Sequence, residues 1–275
     1  MTSVVVPPAR RTVLPRALPL LLAVLLVATA IAYPLTSGTD RDAVTWTIVV
    51  LGAALSLAHA AISRGAPTAL AVLLVTTATS IGFEAVGLAT GFPYGSYSYS
   101  DSLGPTLLGV PFLVPLAWLM MAWPSWLLAG LLTARVRPSV HRGVRISLAA
   151  AVFAGWDVVL DPQLVQAGYW TWAHPQPGLP GIGTVPLTNL AGWLLAGVVL
   201  MSGLHLSTRS SSVTDDPRVD ATAPLLALAW MTVGGALAEA GWLGLPGPAA
   251  WGVGLAVPVA VALVLQRRRR GRAGG

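Results

Sequence analysis

Four carboxylates stand inside long apolar stretches of this chain: Glu84, Asp157, Asp161 and Glu239. Holding such a group near the centre of a membrane-crossing helix costs about 2.5–3.5 kcal/mol on insertion scales, and no arginine stands at the same depth to neutralise them. Asp157 and Asp161 are four residues apart and share one helix face. Pro162 follows at once, which predicts that this helix ends at Asp161. Asn189 supplies an amide at matching depth, with Asp101 and His174 in the adjoining loops. Simpler readings exist for three of these side chains. Asp161 suits a turn before proline, Glu239 a hydrated position at the interface, and Asn189 a hydrogen bond between helices. Glu84 and Asp157 are harder to account for in this way. A carboxyl group taken out of water favours its neutral form, and a neutral carboxyl is a general acid.

Aromatic residues crowd the segments that come after these acids. GFPYGSYSYSDSLGP (91–105) and AGYWTWAHPQPGLPG (167–181) lack arginine and carry Tyr94, Tyr97, Tyr99, Tyr169, Trp170 and Trp172. A belt at the lipid headgroups is one reading. Interleaved glycine and proline argue instead for defined turns, and the tyrosines gather on one side where a belt would occupy both. In that second reading Tyr94, Tyr97, Tyr169, Trp170 and Trp172 fold back and join Trp156, Trp193 and Asn189 in binding a substrate. Aromatic faces steady a carbocation through their quadrupoles. Acid, aromatic cage and lipid-level access together suggest chemistry on an isoprenoid carbon–carbon double bond, with no cofactor. The chain has no cysteine, and its four histidines (His59, His141, His174 and His205) never fall at i,i+4. Thiolate chemistry is thereby excluded and a histidine metal cage is not expected. Phosphate-binding glycine motifs are also lacking.

The elements that must position these groups are membrane helices. Only 9% of the 275 residues are charged and 55% are hydrophobic, with mean hydropathy +0.73; a water-soluble domain carries about 25% charged residues. About 20 apolar residues cross a bilayer. That template gives eight helices near 17–36, 43–63, 67–90, 106–134, 143–166, 183–206, 223–244 and 248–265. The first is read as a span because its apolar run is too long for a cleavable signal and no A-x-A-type site comes after it. Pro111, Pro115 and Pro124 predict kinks or a break in the fourth. The expected architecture is an all-α, polytopic membrane bundle with one transmembrane domain, 17–265. A cytoplasmic segment, 1–16, precedes it, and a basic cytoplasmic tail, 266–275, completes the chain.

All basic charge is arginine, and with both termini inside only Arg41 falls outside, as the positive-inside rule demands. The RRRR run at 267–270 then reads as an anchor beside anionic headgroups, with no nucleic-acid role. Multi-pass residence in the cell membrane is expected. The polar linker 207–222 carries no assigned chemistry. Glu84, Asp161 and Glu239 recur every 77 or 78 residues, each closing an outward span before an aromatic turn. VPFLVPLAW (110–118) and VPLTNLAGW (185–193) then open the next spans. Repeated helical hairpins presenting one acid each to a shared site are expected.

The stretches GFPYGSYSYSDSLGPTLLGVPFLVPLAWLMMAWP (91–124), WDVVLDPQLVQAGYWTW (156–172) and VPLTNLAGW (185–193) resemble the carotenoid biosynthesis membrane proteins that include the carotenoid 1,2-hydratases, of bisanhydrobacterioruberin hydratase type. Residues 80–240 carry the resemblance, and the Trp-Asp…Leu-Asp-Pro-Gln…Tyr-Trp-x-Trp spacing is its most specific part. Thr188, Asn189 and Leu190 stand where Ser-Asn-Phe is usual, so the amide is kept and a ring is lost. The resemblance implies addition of water across the terminal C=C of an acyclic carotenoid dissolved in the membrane, giving a tertiary alcohol. Other enzymes of such a pathway are candidate partners. Proton-initiated cyclisation of the same end group, or a non-enzymatic carotenoid carrier or scaffold, are the competing expectations.

Overall fold

The computed structural model describes residues 17–209 and 220–273. Arg10, Arg11, Arg16, Arg218 and most of the 207–222 linker lie outside the described residues. The fold is a bundle of helices with very little sheet. Seven helical stretches among the described residues are long and apolar enough to cross a membrane. They are α1 (Ala17–Ala32, prolonged by a 3-10 turn to Leu35), α2 (Gly38–Arg64), α3 (Ala66–Thr90), α4 (Leu113–Thr133), α5 (Pro138–Gln166), α6 (Leu187–Arg209) and a seventh span, Thr222–Leu243. The seventh is two α-segments, α7 (Thr222–Ala229) and α8 (Gly235–Ala238), each succeeded by a wider π-turn, Trp230–Gly234 and Glu239–Leu243. The expected eighth helix is present as α9 (Pro246–Ala273), apolar over Pro246–Ala262. The chain is a multi-pass membrane protein.

Hydrophobicity on both faces of the helices explains this arrangement. The outer faces of α1, α3 and α6 present Leu20, Val24, Leu70, Leu74, Leu195 and Val199, which only a lipid surround makes favourable. At the centre, α4 is buried along most of its length, Trp118, Trp123 and Trp126 included. It packs on α2, α3, α5 and the seventh span. Trp123 Nε1 donates to His59 Nδ1 on α2, tying those helices together.

Two local expectations need correction, and a third feature was not expected. The fourth helix starts at Leu113, not 106, and runs unbroken to Thr133 with Pro124 inside it. Residues before it form a hairpin, β2 (Thr106–Leu107) with β3 (Val110–Pro111). Its two turn residues, Leu108 and Gly109, both have positive φ, as the tightest hairpin turns require. Second, α5 does not end at Asp161 but continues through Pro162 to Gln166. A proline inside a helix costs about 3 kcal/mol. Here Pro162, Gln163 and Leu164 are buried and Asp161 is tied to Asn189, so tertiary contacts outweigh the local penalty. Third, the aromatic loops join in one antiparallel ribbon. β1 (Tyr97–Tyr99) pairs with β4 (Trp170–Trp172) in the register Tyr97↔Trp172, Ser98↔Thr171 and Tyr99↔Trp170.

Candidate active site

Strand periodicity orients the aromatic residues of that ribbon. Alternate side chains share a face, so Tyr97, Tyr99, Trp170 and Trp172 lie together while Ser98 and Thr171 point outward. Cross-strand neighbours are in contact, with Tyr97 and Trp172 rings 5.0 Å apart and Tyr99 and Trp170 rings 5.8 Å apart, edge to face. The inner face covers a cavity of about 130 Å³. Glu84, Asp157, Asp161 and Asn189 line it, as do Tyr94, Tyr97, Tyr99, Trp118, Trp156, Trp170, Trp172 and Trp193. No lining residue is basic.

Three helices bring the acids and the amide that joins them. Glu84, near the end of α3, is buried, and its Oε2 accepts the hydroxyls of both Tyr97 (2.5 Å) and Tyr99 (2.7 Å). Burial, and after it the charge of Glu84, pushes both phenols well above the usual tyrosine range, so they remain O–H donors. On α5, Asp157 and Asp161 sit one turn apart, both buried. Asn189, in the first turn of α6, donates its Nδ2 to Asp157 Oδ2 (2.8 Å) and Asp161 Oδ2 (2.5 Å). One amide thus bridges two carboxyl groups. Asp157 and Asp161 are also hydrogen-bonded to each other, and no N–H or hydroxyl of the described residues reaches Asp157 Oδ1.

Behind the acids the helices supply a second aromatic group. Trp193 stacks obliquely on Trp118 at 4.9 Å and lies 5.0 Å from Phe153 and 6.2 Å from Trp156. Tyr94 touches the same cluster, its ring 6.3 Å from Trp193.

Most of the residues singled out in the sequence therefore meet: Glu84, Asp157, Asp161, Asn189, Tyr94, Tyr97, Trp156, Trp170, Trp172 and Trp193. Two do not. Tyr169 is buried beside the cavity wall, its hydroxyl 3.0 Å from Thr45 Oγ1. It is out of phase with Trp170 and Trp172 in the ribbon. Glu239 is fully buried on the second π-turn, one residue past Ala238, which lines the cavity while Glu239 does not. The extra residue of a π-turn rotates the side chains beyond it, so the third acid of the 77–78 repeat is not delivered to the shared site. Tyr99, Trp118 and Phe153 were not expected. The Tyr-Ser-Tyr alternation signals Tyr99, and the two VP…W stretches align Trp118 with Trp193. Phe153 lies four residues before Asp157, on the same helix face. Among the described residues, no group of three or more His, Asp or Glu side chains could hold a metal ion.

A bisanhydrobacterioruberin hydratase of Haloarcula japonica is 39% identical over 128 residues, which is 46% of this chain and 41% of that protein. The chain therefore matches about two-fifths of the length of that relative. No solved structure matches it. Residues 44–259, which include every acid and every ring described above, match the model of the carotenoid biosynthesis protein family. The chain belongs to that family.

Proposed function

We propose that this protein is a carotenoid hydratase, adding water across the terminal C=C of an acyclic carotenoid end group. The observation that carries this reading is the Asp157–Asp161 pair, bridged by one amide on the wall of a largely aromatic and apolar cavity. Two adjacent carboxyl groups with one donor between them do not both ionise readily, so the pair keeps a proton. Asp157 gives that proton to the end-group alkene, forming the tertiary cation, and Trp170, Trp172 and Trp193 face the developing charge. Water then adds to the cation, and its surplus proton returns to the pair. No step calls for a cofactor.

Size and depth support the reading. A cavity of about 150 Å³ admits one benzene, so about 130 Å³ suits one end group and not a polyene. The remainder of a C40 chain, about as long as the hydrocarbon core is thick (~30 Å), extends among the lipid tails. Both termini are taken as cytoplasmic and the ribbon as external, where water is at hand. The membrane is taken as the cell membrane, with neighbouring enzymes of carotenoid synthesis as candidate partners. Reporter fusions at residue 140 and the C-terminus should read cytoplasmic and one at residue 175 external; an external C-terminus overturns this orientation.

Expression in a host that makes lycopene tests the activity. Mass spectrometry should find products heavier by one water per reacted end. Products isomeric with lycopene would instead indicate cyclisation. Bound, unreacted pigment that survives loss of every acid would indicate a carrier.

A further inference from the structure

Two tyrosines of the cavity, Tyr33 and Tyr94, have hydroxyls without partners among the described residues, and of the two only Tyr94 feels the charges of Asp157 and Asp161. Tyr97 and Tyr99 commit their hydroxyls to Glu84. The Tyr94 hydroxyl is buried and has no partner among the described residues. Its ring is held from two sides by positions without a side chain. A Cβ on Gly192 of α6 would lie 2.5 Å from Tyr94 Cδ1, and one on Gly87 of α3 would lie 2.9 Å from Cδ2. Thr188 Oγ1 also donates to the Tyr94 carbonyl at 2.8 Å, fixing the backbone. Burial, and after it Glu84, Tyr97, Asp157 and Asp161, pushes this phenol well above its usual range, so it remains a donor.

Further polar groups belong to the same cavity. Tyr33 Oη, Asp157 Oδ1, Trp118 Nε1 and Trp172 Nε1, all on residues that line it, are buried and receive or give no hydrogen bond to an N–H, hydroxyl or carbonyl of the described residues. A buried polar atom left unmatched costs about 1–3 kcal/mol, and a buried water makes about three hydrogen bonds. Four N–H or O–H donors and one carboxyl oxygen on residues that line one cavity are enough to hold such a water.

We propose that Tyr94 is a catalytic residue whose hydroxyl, with Oδ1 of Asp157, holds the water molecule that captures the cation. This rests on the hydratase reading. The phenol donates to one lone pair of the water, and Asp157, having protonated the alkene, accepts one of its O–H bonds. The remaining lone pair forms the C–O bond to the tertiary carbon. That O–H bond breaks and its proton passes to Asp157, so alkene and water give alcohol with the pair restored.

The experiment uses the purified full-length protein in detergent, with lycopene as probe, in D2O. Two products are measured: the alcohol, and recovered lycopene that has gained deuterium through protonation and return. Tyr94→Phe removes one oxygen and keeps the ring. Alcohol formation should fall at least tenfold while deuterium continues to enter recovered lycopene. Alcohol formation at the original rate, or loss of both signals from folded protein, overturns the proposal. Should Tyr94→Phe not give monodisperse protein, Gly192→Ala, whose methyl group displaces the ring, should show the same division, and an unchanged alcohol rate there overturns it equally. Failure of the hydratase reading looks different, because the unmodified protein then yields neither alcohol nor deuterium exchange.

Discussion

Two carboxyl centres share the cavity, and their hydrogen bonds are reversed in proportion. At Glu84, two phenol donors from the external ribbon converge on a single oxygen. At the Asp157–Asp161 pair, one amide from α6 serves two acids, and no N–H or hydroxyl of the described residues reaches Asp157 Oδ1. The residue types are nearly the same, but in the proposed reaction the first centre serves structure and the second reacts. Glu84 fastens the ribbon to α3, so its carboxyl closes the cavity. In the proposed reaction the aspartates, set on a buried helix face, hold a proton beside the substrate. Donor supply, more than acidity of the side chain, separates the two roles.

Variants at the reactive centre should have the largest effect. Asp157→Asn is nearly isosteric, so membrane abundance should hold while water addition falls about 10²–10⁴-fold, the usual contribution of general acid catalysis. Product mass spectrometry beside quantitative immunoblotting checks this. Full activity in that variant would invert the comparison and make Glu84 the better donor.

A smaller effect is expected when a ring of the cage is removed. Trp170→Leu should lose ~0.5–2 kcal/mol of cation stabilisation, or about two- to thirtyfold in rate, with protein abundance unchanged. Initial rates on lycopene in detergent are the measurement. An unchanged rate would return the ribbon to the role of a headgroup belt.

At the structural centre the effect should be smallest. Tyr99→Phe removes one of two donors to Glu84 and leaves Tyr97 in place. The loss should be about 0.5–1.5 kcal/mol, seen as a lower unfolding temperature in detergent with hydration slowed less than tenfold. A loss as deep as that of Asp157→Asn would erase the distinction between the two centres.

Much of this arrangement is legible one residue at a time. The helices arise from apolar length, and the acids stand out because charge is rare in such segments. Asp157 and Asp161 share a face by helical period alone. The 77–78 repeat was informative at Glu84 and Asp161 and misleading at Glu239. Spacing along a chain assumes a uniform helical twist, and the π-turns of the seventh span break that assumption. Pro162 misled for a related reason. Its local preference is real, but the burial around it is a long-range property.

The sequence by itself determined a multi-pass helical membrane protein, because hydropathy and length are sums over neighbouring residues. It also determined which side chains were too costly to be idle, and the family resemblance that goes with them. Only the tertiary structure decided what those side chains do to one another. Tyr97 and Tyr99 meet Glu84 because two loops far apart in the chain pair as strands. Asn189 joins two aspartates because α6 packs on α5. The Tyr94 ring fits between α3 and α6 because Gly87 and Gly192, on different helices, leave it room. Each of these depends on distances between segments remote in the chain, which no local pattern encodes.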